Sequence, residues 1–190
     1  MDVAAQYAMA YALTTSAGIR ALLPLALVSV AVHLGYLHPP QGLDWLGSAL
    51  VTEILVAFGI AELLADKVPL LDHALHFVQI LTKPAAAAIL VAGTAHPQSH
   101  DVLLGLMILG ALNALGVHVF TSSLRVGSTA ATGGIANPFL SAAEDAVSAV
   151  SAILAFVAPF VAAAIALLIL VVLMRAVGSA YGRRRRIAGS

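Results

Sequence analysis

The chain has 190 residues, 61% hydrophobic and 9% charged, with a mean hydropathy of +1.01; a soluble domain carries about 45–50% apolar and about 25% charged residues. That excludes an ordinary soluble domain and reads as an all-α integral membrane protein embedded in a lipid bilayer. Nine basic and nine acidic residues cancel, so there is no general basic surface for nucleic acid, and without cysteine there are no disulfides, thiolate metal sites or cysteine nucleophiles.

The first apolar segment, Val3 to Leu34, has no Lys or Arg before Arg20 and lacks the basic start of a signal peptide, so it is read as retained structure. As one helix it would measure about 48 Å, too long for a hydrocarbon core of about 30 Å. The predicted break is "TSAGIRALLP", where Gly18 is permissive, Arg20 is charged and Pro24 suits the first turn of a new helix. The second segment, Leu46 to Ala65, carries Glu53 and Glu62 and runs into "DKVPLLD", a predicted interfacial turn. The third, Pro84 to Ala95, is short for a crossing and reads as a half-helix or as a helix that borrows residues from "HALHFVQILTK". Val102 to Phe120 follows, then a polar joint "RVGSTAATGGIANP" over 125–138. The last segment, Phe139 to Val177, is again too long, with breaks expected at 133–138 or at Pro159.

The expected architecture is a polytopic bundle of about five to six membrane segments, some broken or re-entrant. Residues 1–182 form one transmembrane domain and 183–190 a basic tail, "RRRR" at Arg183 to Arg186, which the positive-inside bias keeps in the cytoplasm of a multi-pass inner-membrane protein. "GIRALLP" echoes "GIANPFL", and "GIAELLADKV" echoes "GALNALGVHV" with Glu62 opposite Asn113 and Lys67 opposite His118. This reads either as a weak inverted repeat of transporter type or as chance similarity among Ala, Leu and Gly.

Ionisable residues inside apolar segments cost roughly 2.5–3.5 kcal/mol each at the bilayer centre and call for partners or a wet cavity. Glu62 and Asp66 are four apart on one helix face, whereas Glu53 lies about 180° away from Glu62. Glu144 and Asp145 point about 100° apart, so at most one is expected to face a given partner. Asn137 is read as a helix N-cap with Pro138 at the first helical position. The candidate ion- or substrate-binding residues are therefore Glu62, Asp66, Glu144, Asp145, Asn137 and Asn113, with Arg20, Arg125, Lys67 and Asp72 as counter-charges or structural partners. His118 reads as a hydrogen-bonded interior histidine. Neither His73 with His76 nor His96 with His100 has an HExxH context, and metal binding is left open. No P-loop, GxSxG or GxGxxG motif is present, and no cofactor is expected.

"AGIRALLPLAL", "AELLADKVPLLDHALH", "KPAAAAIL", "HVFTSSLR" and "NPFLSAAEDAVSAV" occur in this order, and over most of its length the chain resembles the bacterial membrane-protein family catalogued as domain of unknown function 4126. The resemblance implies no established activity, so no catalytic residue carries over. It implies that Gly18, Arg20, Glu62, Asp66, Lys67, Pro69, Asp72, Lys83, Pro84, Arg125, Asn137, Ser141, Glu144 and Asp145 are landmark positions. The chain departs from the family before the Asn, where "STAATGGIANP" replaces an "SPEP"-like stretch. The leading expectation is a carrier or channel for a small cation or cation-coupled solute. Its rival is a non-catalytic scaffold or accessory subunit that packs against a second copy or another membrane protein. An enzyme ranks last, for want of a nucleophile or metal set.

Overall fold

The computed structural model describes residues 1–65 and 69–188, with the backbone alone for 69–77, 173 and 176–188. The expected Asp66 and Lys67 positions lie outside the described residues, and of Asp72 only the backbone is described. The described chain is all-helical, with seven α-helices and no strand: α1 Val3–Ile19, α2 Leu22–His33, α3 Ala49–Ala65, α4 Pro69–Thr94, α5 His100–Thr132, α6 Asn137–Val157 and α7 Pro159–Ala188.

Helix α1 opens where the Asp2 carboxylate accepts the Ala4 N–H at 2.8 Å. It is buried continuously from Ala12 to Ile19, and α4, α5, α6 and α7 pack around it. A helix enclosed on all sides needs no polar face, and small residues let its neighbours approach. Gly18 is the tightest case: a Cβ there would lie 2.6 Å from Val117 Cβ and 2.7 Å from the Ala114 carbonyl of α5.

The first segment breaks where expected. Arg20 is extended (φ −132°, ψ 117°) and α2 starts at Leu22. Beyond α2, the Ser29 hydroxyl donates to the Leu46 carbonyl and bonds Thr52 Oγ1 at 2.9 Å, tying the loop and α3 to α2. The last segment breaks at both candidate places. Gly133, left-handed at φ 62°, ends α5, and Ala158 separates α6 from α7, which Pro159 opens.

Three boundaries differ from expectation. Helix α4 begins at Pro69 and carries Pro84 in its interior, so the "PLLD" of the expected turn is helical, and of the two readings of the third segment the one that borrows from "HALHFVQILTK" holds. A proline inside a helix costs it one backbone bond, and packing between α1 and α5 holds α4 together across it. Helix α5 runs through the supposed polar joint to Thr132, and within it the hydroxyls of Thr129 and Thr132 bond back one turn, to Arg125 O and Ser128 O. Asn137 is the first residue of α6 rather than its cap, which is Ala136, and its amide donates to Thr129 Oγ1 at 2.9 Å.

Among the described residues two helices, α5 and α6, are long and apolar enough to cross a membrane; α2, Val78–Thr94 and Pro159–Val172 are apolar but shorter. Leu50, Phe58, Leu81, Leu109, Val126, Phe139 and Val157 are among the large apolar side chains on the outside, far more than a water-facing surface carries. Gly18→Ala should lower the thermal midpoint in detergent, by a destabilisation of about 1–3 kcal/mol, because α1 and α5 must part to admit the methyl. Gly105→Ala, where nothing lies within 4 Å, should leave the midpoint unchanged or raise it.

Candidate functional site

The break after α1 creates the site. A helix start leaves backbone N–H groups without intrahelical partners, and at α2 a side chain from α3 takes them. Glu62 Oε1 accepts the Ala21 N–H at 3.0 Å and Oε2 the Leu22 N–H at 2.9 Å. Glu62, 6% exposed, is thus a cap supplied through space. It also places a carboxylate at the positive end of the α2 dipole.

Arg20, 1% exposed, leaves the break toward α6. Its Nε lies 2.7 Å from Asp145 Oδ1 and its Nη2 3.7 Å from Glu144 Oε2, while Nη2 also donates to Ser141 Oγ at 2.9 Å and to the Ser141 carbonyl at 3.3 Å. The expectation that at most one of the two carboxylates faces a given partner is corrected here. A guanidinium spreads its donors over a planar fork, and Arg20 reaches both, Asp145 more closely. Glu144 is shared, because Arg125 of α5 grips it with Nη2 on Oε2 and with Nε on Oε1 at 3.4 Å.

Next to this pair, Lys83 of α4, 3% exposed, bonds His118 Nδ1 of α5 at 2.9 Å. The ammonium has no acceptor lone pair, so it donates, and His118 Nδ1 accepts. Lys83 lies within electrostatic reach of Glu62, Glu144, Arg20 and Arg125. The cluster therefore gathers three bases (Arg20, Lys83, Arg125) and three acids (Glu62, Glu144, Asp145) from α3, α4, α5, α6 and the α1–α2 break. Gln79, Lys83, His118, Thr121, Ser122, Arg125 and Glu144 line a polar cavity of about 10 Å³, against the roughly 10–15 Å³ that one water needs.

Of the residues predicted from the sequence, Glu62, Glu144, Asp145, Arg20 and Arg125 come together. Asn113 is engaged elsewhere, donating to Thr14 and Thr15 of α1 at 2.9 and 2.8 Å, and Asn137 is engaged with Thr129. Glu53 is exposed. Lys83 and Ser141 were landmarks only by resemblance, and His118 was read as structural. Lys83 sits one residue before Pro84, where the third apolar segment is read to begin; a lysine inside the longer apolar helix carries the same signal as Glu62.

A model of the family described as domain of unknown function (DUF4126) matches residues 7–179. The chain belongs to that family. No curated protein and no solved structure matches it. Every member of the charge cluster falls inside the DUF4126 match.

Glu62→Gln turns an amide NH₂ toward a backbone donor and should destabilise by roughly 1–3 kcal/mol, seen as a lower thermal midpoint in detergent. Arg20→Ala, which strips a fully buried cation from Asp145, should cost about 3–5 kcal/mol, more than Arg125→Ala at a position 19% exposed.

Proposed function

We propose that the chain is a multi-pass inner-membrane transport protein for a small cation, that the charge cluster is its site, and that the cation is the proton. The observation that carries this reading is the Lys83–His118 hydrogen bond on the wall of a water-sized polar cavity beside the Arg125–Glu144 bridge. Ionisable groups buried among apolar helices are costly and by default mark an ion or proton pathway. A metal cation fits less well. Glu62 is occupied by backbone N–H groups, Glu144 and Asp145 by arginines, and among the described residues no three His, Asp or Glu side chains converge on a metal position.

The proton step needs only groups in the cluster. Lys83 gives a proton to His118 Nδ1, leaving a neutral amine and an imidazolium; the imidazolium releases its Nε2 proton, the amine takes up the next proton arriving through the cavity, and a flip of the ring turns an unprotonated nitrogen back toward Lys83. The outward apolar side chains fit a hydrocarbon surface, and the shorter apolar helices complete the five to six segments around the two long ones. On this reading residues 1–182 are the membrane domain and the Arg183 to Arg186 tail is cytoplasmic.

A second reading, a scaffold that meets a second copy or another membrane protein, is supported by the same pairing: Glu62 acts as a cap and Arg20 as a clamp, both dry. Proton flux into vesicles that hold a pH-sensitive dye separates the two. His118→Gln keeps an acceptor for Lys83 but removes the titrating ring, and should lower flux roughly ten-fold or more while the thermal midpoint stays near wild type. Wild-type vesicles without flux of protons or alkali cations would leave the scaffold. A cysteine placed at Ser190 should react with an impermeant reagent only in opened cells; labelling of intact cells would reverse the topology.

A further inference from the structure

A second cavity of about 490 Å³ lies between α1, α4, α5 and α7, within the range of about 300–1,000 Å³ typical of ligand pockets. Its walls are mostly aliphatic, with Leu106, Leu109 and Leu170 among them, and no charged side chain among the described residues lines it. Tyr7, Tyr11, Thr14 and Asn113 supply its polar part. The Asn113 amide nitrogen is committed to Thr14 and Thr15, but Asn113 Oδ1 and Tyr11 Oη are buried and have no hydrogen-bond partner. Buried polar atoms are ordinarily satisfied, so two unmet ones on the wall of one cavity call for an explanation.

We propose that this cavity binds a neutral, single-chain amphiphile with a hydroxyl head. Asn113 Oδ1 can only accept, whereas Tyr11 Oη both donates and accepts. One hydroxyl group meets both, donating to Asn113 and accepting from Tyr11. A ketone or ester head leaves Oδ1 unmet, an ammonium or phosphate head finds no counter-charge in the wall, and an alkane satisfies neither atom. The chain lies along the leucines. A protein helix, about 10–12 Å across with its side chains, is too wide for the space. The two oxygens are covered, and the head group enters with a change of rotamer at Tyr11. Asn113 and His118 are five residues apart on α5, about 7.5 Å along its axis, so the bound hydroxyl stops short of the charge cluster. The site stands on packing and hydrogen bonding and is independent of proton movement.

The full chain in phosphatidylcholine nanodiscs is photolabelled with diazirine-tagged dodecanol, and the labelled positions are mapped by mass spectrometry. Label should concentrate on 106–113 of α5, and 1-dodecanol should compete about five- to ten-fold better than dodecane, the worth of one hydrogen-bonded hydroxyl. Tyr11→Phe should shrink that advantage without unfolding the protein, and Leu106→Trp, which fills the space, should abolish the labelling. Equal competition by dodecane, or equal label on outward residues such as Phe58 and Leu64 of α3, would overturn the proposal. Should Leu106→Trp fail to fold, Tyr11→Phe still decides.

Discussion

One extended residue, Arg20, organises the charged half of the molecule. By leaving helical geometry it does two things: it turns its guanidinium sideways out of α1 toward α6, and it exposes the Ala21 and Leu22 N–H groups to a carboxylate from α3. A continuous helix at this point would hide those donors and free Glu62, which would then be an ionised carboxylate in an apolar bundle with nothing to bind. Burial of an ionised group costs several kcal/mol even after relaxation, and only good pairing offsets it. The break and the charges therefore have to occur together. Glu144 extends the same logic to α5, since it answers both Arg20 and Arg125.

How much of this was legible depended on whether the signal is local. The breaks at Arg20 and Pro159 could be read because an apolar run too long for one crossing must bend, and Gly18, Arg20, Pro24 and Pro159 mark where. The ends of α4 and α5 could not. Pro84 is a helix breaker by local rules, yet α4 continues because packing on both sides outweighs one lost backbone bond. Thr129 and Thr132, after Arg125, look like loop, yet their hydroxyls bond carbonyls of the preceding turn.

The candidate site divides in the same way. That Arg20, Glu62, Arg125, Glu144 and Asp145 matter follows from charge in an apolar context, which needs no structure. That Glu62 holds backbone N–H groups 40 and 41 residues away does not, because it depends on where α3 meets the break. Nor does the Lys83–His118 contact, which spans 35 residues and two helices. Asn113 was chosen for its place in a suspected repeat; the structure gives it a different task, fastening α5 to the two threonines of α1.

The length of α5 bears on where the cluster sits relative to lipid. Its 33 residues measure about 50 Å, while its apolar stretch, Val102 to Phe120, covers about 28 Å and matches a hydrocarbon layer of about 30 Å. Arg125 then lies five residues, about 7.5 Å of helix, past that apolar stretch. Glu144 meets it there, and α5 and α6 touch at few other points. Helix α6 is seated on α1 and α7, so the bridge acts as a tether that fixes the far end of α5 to an element packed elsewhere.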